Sequence, residues 1–277
     1  MYGLVSIIMP SYNTARFIEE SIKSVLAQTY TNWELIIVDD ASTDNTDAVI
    51  EGVKRHCERS EAIYYFRNEK NSGAAVSRNR ALAQAKGKWV AFLDSDDLWA
   101  PEKLEKQLKF MVENGYAFSY SRYEEIDENG KPTGTLVGGP KRITKTGMFN
   151  YCWPGCLTVM YNREVVGDIQ IADIRKNNDY AIWLKVCRKA DCNLLPEMLA
   201  SYRKRGGSIS HGRHSEAQPK NSVTKFTRFL TLIKWHYKLY REAECSNPVT
   251  SLLNTGRNLL FGVWKKAKYV ENKGNRG

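Results

Sequence analysis

The chain has 277 residues, of which 42% are hydrophobic and 26% are charged, and both fractions are ordinary for a globular protein. The six cysteines lack the short spacings of zinc sites, no stretch reaches the roughly 20 apolar residues of a membrane span, and no secretory signal comes first, so we expect a cytosolic protein with reduced thiols. The net charge of +10 is concentrated in residues 206–277, which carry 13 Lys and Arg against 4 Asp and Glu.

The first hundred residues predict alternating strands and helices. Short apolar runs, typical of strands buried on both faces of a parallel sheet, occupy Leu4–Met9, Glu34–Val38, Ala62–Phe66 and Trp89–Leu93. Helical patterns lie between them, in a segment that Thr14 can cap and at Asn45–Lys54 and Ala74–Ala85. With right-handed crossovers, this order predicts an α/β fold with a mostly parallel, doubly wound sheet flanked by helices.

Polar residues follow three of these four strands at their carboxyl ends. They are Pro10-Ser11-Tyr12-Asn13, Asp39-Asp40 and Asp94-Ser95-Asp96-Asp97. Open α/β sheets bind their ligands at this edge. Because the glycine-rich fingerprints of dinucleotide-binding and P-loop proteins are missing, a mononucleotide held through a metal ion fits this edge better than NAD or P-loop chemistry.

The third of these segments, residues 94–97, places three carboxylates within four positions. Their charges repel one another, and burying them unpaired would be costly. A hard cation such as Mg²⁺ or Mn²⁺ relieves this repulsion and typically shares its coordination shell with substrate phosphates. The alternative is a solvated turn in which one Asp caps the following helix.

Beyond residue 100 the pattern changes. An amphipathic helix at Pro101–Asn114 precedes strands at Ala117–Ile126, Thr133–Val137 and Cys156–Tyr161, and Asn129-Gly130 predicts a hairpin turn. A helix from about Asp179 to Lys189 and a strand near Leu195–Tyr202 complete the pattern. We therefore predict a small antiparallel extension of the sheet. Residues 1–100 and 101–211 then form two halves of one domain, and residues 212–277 form a basic helical C-terminal region.

The C-terminal region predicts two helices with cations beside apolar stripes. The first stripe comprises Phe226, Phe229, Leu230, Ile233, Tyr237 and Tyr240, and the second comprises Leu252, Leu253, Leu259, Leu260 and Val263. Such helices suit an anionic membrane surface, while the alternative is that they pack on the body with a basic outer face. We favour the membrane because the charge imbalance is confined to this region. No nucleic acid is expected, since no known binding motif accompanies the charge.

Several segments at family spacing resemble the family 2 glycosyltransferases of GT-A fold. They are residues 6–13 (SIIMPSYN), 34–44 (ELIIVDDASTD), 71–79 (NSGAAVSRN), 94–97 (DSDD, the DXD signature) and 178–184 (NDYAIWL, the acceptor-side acidic motif). The resemblance is strong over residues 4–100, moderate to about residue 211 and absent beyond. It implies an inverting transfer from a nucleotide-diphospho-sugar, usually a UDP-sugar, with Mn²⁺ or Mg²⁺ as cofactor.

The resemblance also implies roles for residues on the donor side. The donor site is expected to comprise Pro10, Tyr12, Asp39, Asp40, Gly73, Arg78, Asp94, Ser95 and Asp96. Pro10 and Tyr12 would flank the nucleobase, Asp40 would accept a hydrogen bond from the uracil ring, and Asp39 would support that loop. Gly73 would let the backbone approach the nucleoside, and Arg78 would lie near the ribose or phosphate.

The metal and the catalytic base are assigned in the same way. Asp96 or Asp97 would bind the metal, and His211 is a further candidate ligand, although a lone surface histidine is the alternative. Asp179 would act as the general base, and its alternative is a plain helix cap. The chain departs from the family at Asn178, because in the family the residue before the base is often Glu.

Two further segments have open interpretations. The basic loop at 203–211, which begins with Arg203-Lys204-Arg205, could fold over the diphosphate or remain a solvated loop. Trp153 could shape an acceptor pocket or lie in the core.

The resulting hypothesis is a cytoplasmic enzyme, peripheral on the inner face of the cell membrane. It would extend a cell-surface polysaccharide or a lipid-linked glycan. The rivals are a sugar-nucleotide hydrolase or nucleotidyltransferase, and a non-catalytic nucleotide-sugar-binding or assembly subunit.

Overall fold

One mixed sheet organises the part of the chain that the computed structural model describes, residues 2–205 and 222–272. Its strands within that part are β1 Val5–Ser11, β2 Trp33–Asp39, β3 Ile63–Arg67, β4 Trp89–Phe92, β5 Leu98–Trp99, β6 Phe118–Ile126, β7 Pro132–Val137, β8 Arg142–Ile143, β9 Val159–Asn162, β10 Cys192–Arg203 and β11 Val270–Asn272. The order across the sheet is β11-β7-β6-β9-β4-β1-β2-β3, while β10 pairs with β5, β6 and β8.

Helices cover both faces of this sheet. They are α1 Ile18–Leu26, α2 Thr46–Arg55, α3 Ala74–Gln84, α4 Lys103–Glu113, α5 Lys145–Asn150, α6 Arg163–Val166, α7 Asn178–Val186, α8 Ser222–Lys238 and α9 Pro248–Tyr269. A π-helical turn, Leu239–Ala243, follows α8 directly. Within these described elements, no helix is long and apolar enough to cross a bilayer.

Strands β1 to β4 form the parallel half of the sheet, in the order β3-β2-β1-β4. Successive side chains of β1 enter different cores: Ile7 packs with α1, α2 and α4, whereas Ile8 packs with α3 and α7. Because both faces are buried, the strand sequences are continuous apolar runs rather than alternating ones. The prediction of an α/β fold with flanking helices is confirmed.

In the second half of the sheet, one predicted strand runs in a different direction from the one expected. β9 runs antiparallel to β4 and β6, and β7 runs antiparallel to β6, as expected. However, β10 runs parallel to β6, with pairs from Cys192–Phe118 to Arg203–Ile126. Parallel pairing requires a crossover connection, and the segment between the two strands supplies one because it includes α7.

The C-terminal region packs on the body. Leu239 and Tyr240 are fully buried, and the Tyr240 hydroxyl donates to the Phe149 carbonyl oxygen at 2.8 Å. After α9, the short strand β11 pairs antiparallel with β7, from Val270–Val137 onwards, and extends the sheet edge. The sequence predicted the two helices but not this strand.

Candidate active site

The loops after β1 and β2 are tied together at the carboxyl edge of the sheet. The Asn13 amide donates to the Ser42 hydroxyl at 2.8 Å, and the Thr43 amide donates to the Asn13 side-chain oxygen at 2.8 Å. Pro10 lies in the buried strand just before this turn. The ring of Tyr12 projects from it and is 42% exposed, so it offers an aromatic face beside the crevice.

Asp39 and Asp40 are both buried, and each holds a different loop. Asp39 accepts hydrogen bonds from the amide and hydroxyl of Ser42 and therefore fixes its own loop. Asp40 accepts from the Ser72 amide at 2.9 Å and from the Gly73 amide at 2.6 Å. Gly73 has φ +90°, a conformation that favours glycine, and it immediately precedes α3.

Asn68 is a member of this cluster that the sequence analysis missed. Its side-chain amide donates to Asp40 at 2.8 Å and to the Ser77 hydroxyl at 3.0 Å. The available signal was the polar pair Arg67-Asn68 at the carboxyl end of β3, which makes the carboxyl ends of all four parallel strands polar. Only three of them were used for the prediction.

The carboxylates of residues 94–97 have separate partners. Asp94 is 30% exposed and forms an ion pair with Arg78, while Asp96 forms one with Arg205. Asp97 is 1% exposed and accepts from the Arg203 backbone amide at 2.9 Å. Ser95 is buried between them.

Burial raises the pKa of both Asp96 and Asp97, because their charged forms lose solvation. The repulsion from Asp94 adds to the increase for both groups. Arg205 opposes the increase at Asp96, as the Arg203 backbone amide does at Asp97. A cation bound at this loop would favour the ionised forms of these carboxylates.

Arg78 connects this loop to the acceptor-side helix. Its buried guanidinium contacts Asp94 through one terminal nitrogen and the side-chain oxygen of Asn178 through the other. The nitrogen that contacts Asp94 also lies 3.6 Å from the Cys156 sulfur. One side chain thereby joins Asp94 and Asn178, which lie 16 and 100 positions after Arg78 in the chain.

Asp179 follows Asn178 in the first turn of α7. Burial raises the pKa of its carboxyl group, while the charge of Arg78 lowers it and that of Asp94 raises it further. These interactions bring Asp94, Arg78 and Asp179 into one electrostatic cluster. Asp179 is therefore a carboxylate with a raised pKa close to the acidic loop at residues 94–97. Raised pKa values of this kind are typical of candidate general bases.

The described parts of the two segments with open interpretations have clear positions, while residues 206–211 of the first lie outside the described residues. Arg203 ends β10 and is 1% exposed; besides Asp97 it contacts Glu20 at 2.5 Å, so it supports the loop rather than covering a ligand. Lys204 pairs with Glu125. Trp153 is 3% exposed and packs against Trp264 of α9, with ring centroids 5.6 Å apart, so it lies in the core.

The residues of this edge fit a hard divalent cation that takes most of its ligands from a substrate. Asp94 and Asp96 supply carboxylate oxygens, the ligand type that Mg²⁺ and Mn²⁺ prefer. Among residues 2–205 and 222–272, no three His, Cys, Asp or Glu side chains are grouped as a complete protein cage. His211, the further candidate, lies outside the described residues.

Comparison with known proteins adds sequence relatives. A family model described as Glycosyl transferase family 2 matches residues 6–167. The chain is 44% identical over 216 residues to the putative teichuronic acid biosynthesis glycosyltransferase TuaG of Bacillus subtilis (strain 168), covering 78% of this chain and 84% of that one. It is 39% identical over 219 residues to the UDP-Glc:alpha-D-GlcNAc-diphosphoundecaprenol beta-1,3-glucosyltransferase WfgD of Escherichia coli, covering 77% and 82%.

Solved structures show the same fold. S. aureus TarS 1-349 in complex with UDP-GlcNAc superposes with a TM-score of 0.65 at 21% identity, over 95% of this chain and 76% of that one. The mannosyltransferase PcManGT from Pyrobaculum calidifontis, in complex with GDP-Man and Mn²⁺, gives 0.62 at 20% identity, over 95% and 72%. At such identities the likeness concerns the fold alone.

Proposed function

The chain belongs to glycosyl transferase family 2, and we propose that it moves a sugar from a UDP-sugar to an acceptor hydroxyl with inversion at the anomeric carbon. The observation that supports this proposal most directly is the pair of contacts made by the Arg78 side chain. It contacts Asp94 on the donor side and Asn178, the neighbour of Asp179, on the acceptor side. Asp94, a candidate metal ligand, and Asp179, the candidate base, are thus held in one cluster. A reaction in which the acceptor displaces the diphosphate in one step requires these groups to be close together.

The donor is proposed to bind along the ends of β1 to β4. Pro10 and Tyr12 flank the nucleobase, and Asp39 supports their loop. Asp40 has one oxygen with a single protein donor, the Gly73 amide, so a lone pair remains for the ring N–H of uracil. Gly73 lets the backbone approach the nucleoside.

Arg78 is assigned a different role from the one that the resemblance implied. Its terminal nitrogens already contact Asp94 and Asn178, so we propose that it orients the cluster rather than binding the ribose or phosphate. Residues 1–100 would then form the donor half, residues 101–211 the acceptor half, and residues 212–277 the basic C-terminal region.

Asp94 and Asp96 are proposed to hold a Mn²⁺ or Mg²⁺ ion next to the diphosphate of the donor. When bound, it would stabilise the negative charge that develops on the leaving nucleoside diphosphate. Asp97 is the weaker candidate ligand, because it is 1% exposed, whereas the side chains of Asp94 and Asp96 are 30% and 16% exposed. Ser95 lies between the ligands and is assigned to the donor site with them.

Asp179 is proposed as the general base. It would remove the proton of the acceptor hydroxyl as that oxygen attacks the anomeric carbon from the face opposite the diphosphate. The bond to the diphosphate breaks as the new glycosidic bond forms, which inverts the configuration. The raised pKa of Asp179 makes it a stronger base than an exposed carboxylate.

The acceptor is proposed to be a cell-surface glycan or a lipid-linked saccharide. The named activities of TuaG and WfgD, in teichuronic acid biosynthesis and on a diphosphoundecaprenol-linked sugar, support this choice. Since such acceptors are carried on membrane lipids, we place the reaction at the cytoplasmic face of the cell membrane.

A panel of UDP-, GDP- and dTDP-sugars with Mn²⁺ tests the proposal. Donor binding should raise the melting temperature, and incubation with a lipid-linked acceptor should give a glycosylated product of inverted configuration. Asp179→Asn and Asp96→Ala should each lower turnover by at least about 100-fold. Asp168→Asn, at an exposed carboxylate outside the cluster, is the matched control.

Each rival has its own outcome. Free sugar released without acceptor at the same rate would indicate a hydrolase, and a sugar nucleotide formed from a nucleoside triphosphate and a sugar phosphate would indicate a nucleotidyltransferase. A raised melting temperature with no turnover of any donor would favour a binding or assembly subunit.

A further inference from the structure

In helix α9 the fully buried side chains are polar, whereas most of the large apolar side chains are exposed. The buried residues are Ser251, Asn254, Thr255 and Asn258, each no more than 7% exposed. The exposed large apolar residues are Val249, Leu252, Leu253, Leu260, Val263 and Trp264, which are 42–73% exposed. A helix that only covered a protein core would have the opposite arrangement.

The exposed residues form one continuous stripe. At 3.6 residues per turn, positions 249, 252, 253, 260, 263 and 264 all fall on one side of the helix. With about 1.5 Å of rise per residue, the stripe extends for roughly 20 Å. Single exposed apolar residues are ordinary, but a continuous stripe of this length indicates an interaction surface.

Hydrogen bonds on the opposite face fix the orientation of α9. The side-chain amide of Asn258 donates to the hydroxyls of Tyr180 at 3.2 Å and Tyr240 at 3.4 Å. Near the other end, the Lys265 ammonium donates to the Trp153 carbonyl oxygen at 2.8 Å. Rotating the stripe inwards would break these buried bonds, so the stripe is an outward surface of the folded protein.

Cations flank the stripe on both sides. Arg257 and Lys268 lie on one flank and Lys266 on the other, and all three are exposed. The neighbouring helix α8 adds three exposed apolar residues, Phe229, Leu230 and Leu232. An apolar stripe between cations matches the interface of an anionic bilayer, where acyl chains lie beneath negative headgroups.

We propose that α9 lies in the surface of an anionic lipid bilayer with this stripe inserted below the headgroups. Its inner face is bonded to Tyr180, the neighbour of Asp179, so the first turn of α7 would lie directly behind the inserted helix. The value of this orientation for a lipid-linked acceptor rests on the proposed function, but the lipid contact itself does not.

Vesicle sedimentation with the full chain tests the lipid contact, with neither donor nor acceptor present. Wild type should bind vesicles of phosphatidylglycerol and phosphatidylcholine and bind pure phosphatidylcholine at least about tenfold more weakly. Leu253→Glu combined with Leu260→Glu should weaken binding to the anionic vesicles by at least about tenfold. Lys266→Gln with Lys268→Gln should weaken it by roughly tenfold to thirtyfold, at about 1 kcal/mol per lysine.

The matched control is Val112→Glu with Val165→Glu, which adds the same charge at exposed apolar sites on α4 and α6. It should bind anionic vesicles as wild type does. Both double-glutamate variants should keep the wild-type melting temperature and donor-induced thermal shift, because the altered side chains are exposed.

Three outcomes would overturn the proposal. They are no binding of wild type to anionic vesicles, equal weakening by the stripe variant and the control, and a dimer of the wild type that the stripe variant dissociates. The last would make a second copy of the chain the occupant of the stripe. Loss of turnover with intact vesicle binding would count against the proposed function and not against the lipid contact.

Discussion

Lys103 is fully buried, and no carboxylate in the described part of the chain pairs with it, so its charge should make stability depend on pH. Its ammonium donates to the side-chain oxygen of Gln107 at 2.8 Å and lies 4.1 Å from the centroid of the Trp99 ring. Burial lowers its pKa from 10.5 to about 7. A difference of this size corresponds to about 5 kcal/mol at pH 6. About 1.4 kcal/mol of it is still present at pH 9.5, one unit below the pKa of the unfolded chain, so the change between the two pH values is about 3 kcal/mol.

The sign follows from proton binding. Below about pH 7 the folded and unfolded chains both carry the proton, so the destabilisation is fully present. Between about pH 7 and 10.5 only the unfolded chain carries it, and the contribution of this group to the free energy of unfolding rises with pH.

Lys103→Met removes the titrating group while keeping an apolar side chain of similar length. We therefore compare the free energy of unfolding of the variant with that of wild type at each pH. The difference, variant minus wild type, should be about 3 kcal/mol larger at pH 6 than at pH 9.5. Any loss of the Gln107 hydrogen bond is the same at both pH values and cancels in this comparison.

Urea unfolding of both proteins at half-unit steps from pH 6 to 9.5 measures the effect. Lys106→Met on the exposed side of the same helix is the control, and its difference from wild type should not vary over this range. A difference between Lys103→Met and wild type that stays constant with pH would refute the reasoning.

Three further predictions concern the site and the sheet. The acid limb of kcat/KM should lie above the ordinary Asp value of about 4, because Asp179 must be ionised and its pKa is raised; a limb at or below 4 would exclude it as the base. Asn178→Glu should move that limb to higher pH, since a second negative charge disfavours ionisation of Asp179, whereas Asn178→Gln should leave it in place. Gly87→Ala should lower the free energy of unfolding by about 2–3 kcal/mol, because the new Cβ would lie 2.6 Å from the Ser6 backbone nitrogen. The control Gly52→Ala has open space around its Cβ and should raise the free energy of unfolding by up to about 1 kcal/mol. Equal effects of the two substitutions in urea unfolding would contradict the steric account.

The parallel half of the sheet could be predicted because its signal is local. Strands buried on both faces are apolar at nearly every position, as Ile7 and Ile8 illustrate by entering different cores. The polar residues at the strand ends were equally visible, because the carboxyl edge of a parallel sheet brings them together whatever their separation in the chain.

The contacts of Arg78 could not be predicted in this way. Its position in the chain resembled a family motif, but its partners depend on how α3, the loop after β4 and α7 come together. The direction of β10 depends equally on the long connection that precedes it. Such features arise from tertiary packing, and a local pattern contains no record of them.

The polarity of α9 shows the same limit. Its apolar stripe was visible in the sequence, but which face would be buried depended on hydroxyl and amide partners elsewhere, such as Tyr180 for Asn258. An apolar stripe ordinarily predicts the buried side, and here that rule fails.

The pairing of β11 with β7 has a consequence for biosynthesis. The two strands are separated by more than 130 residues, so while the chain is being made the edge of β7 remains unpaired until the last described residues have emerged. Exposed strand edges invite pairing with other chains, and non-local pairing is slow to form. Nascent chains should therefore pass through a period of vulnerability to aggregation that ends only when Val270–Asn272 covers β7, and substitutions that weaken this short pairing should lower the yield of folded protein more than its stability after folding.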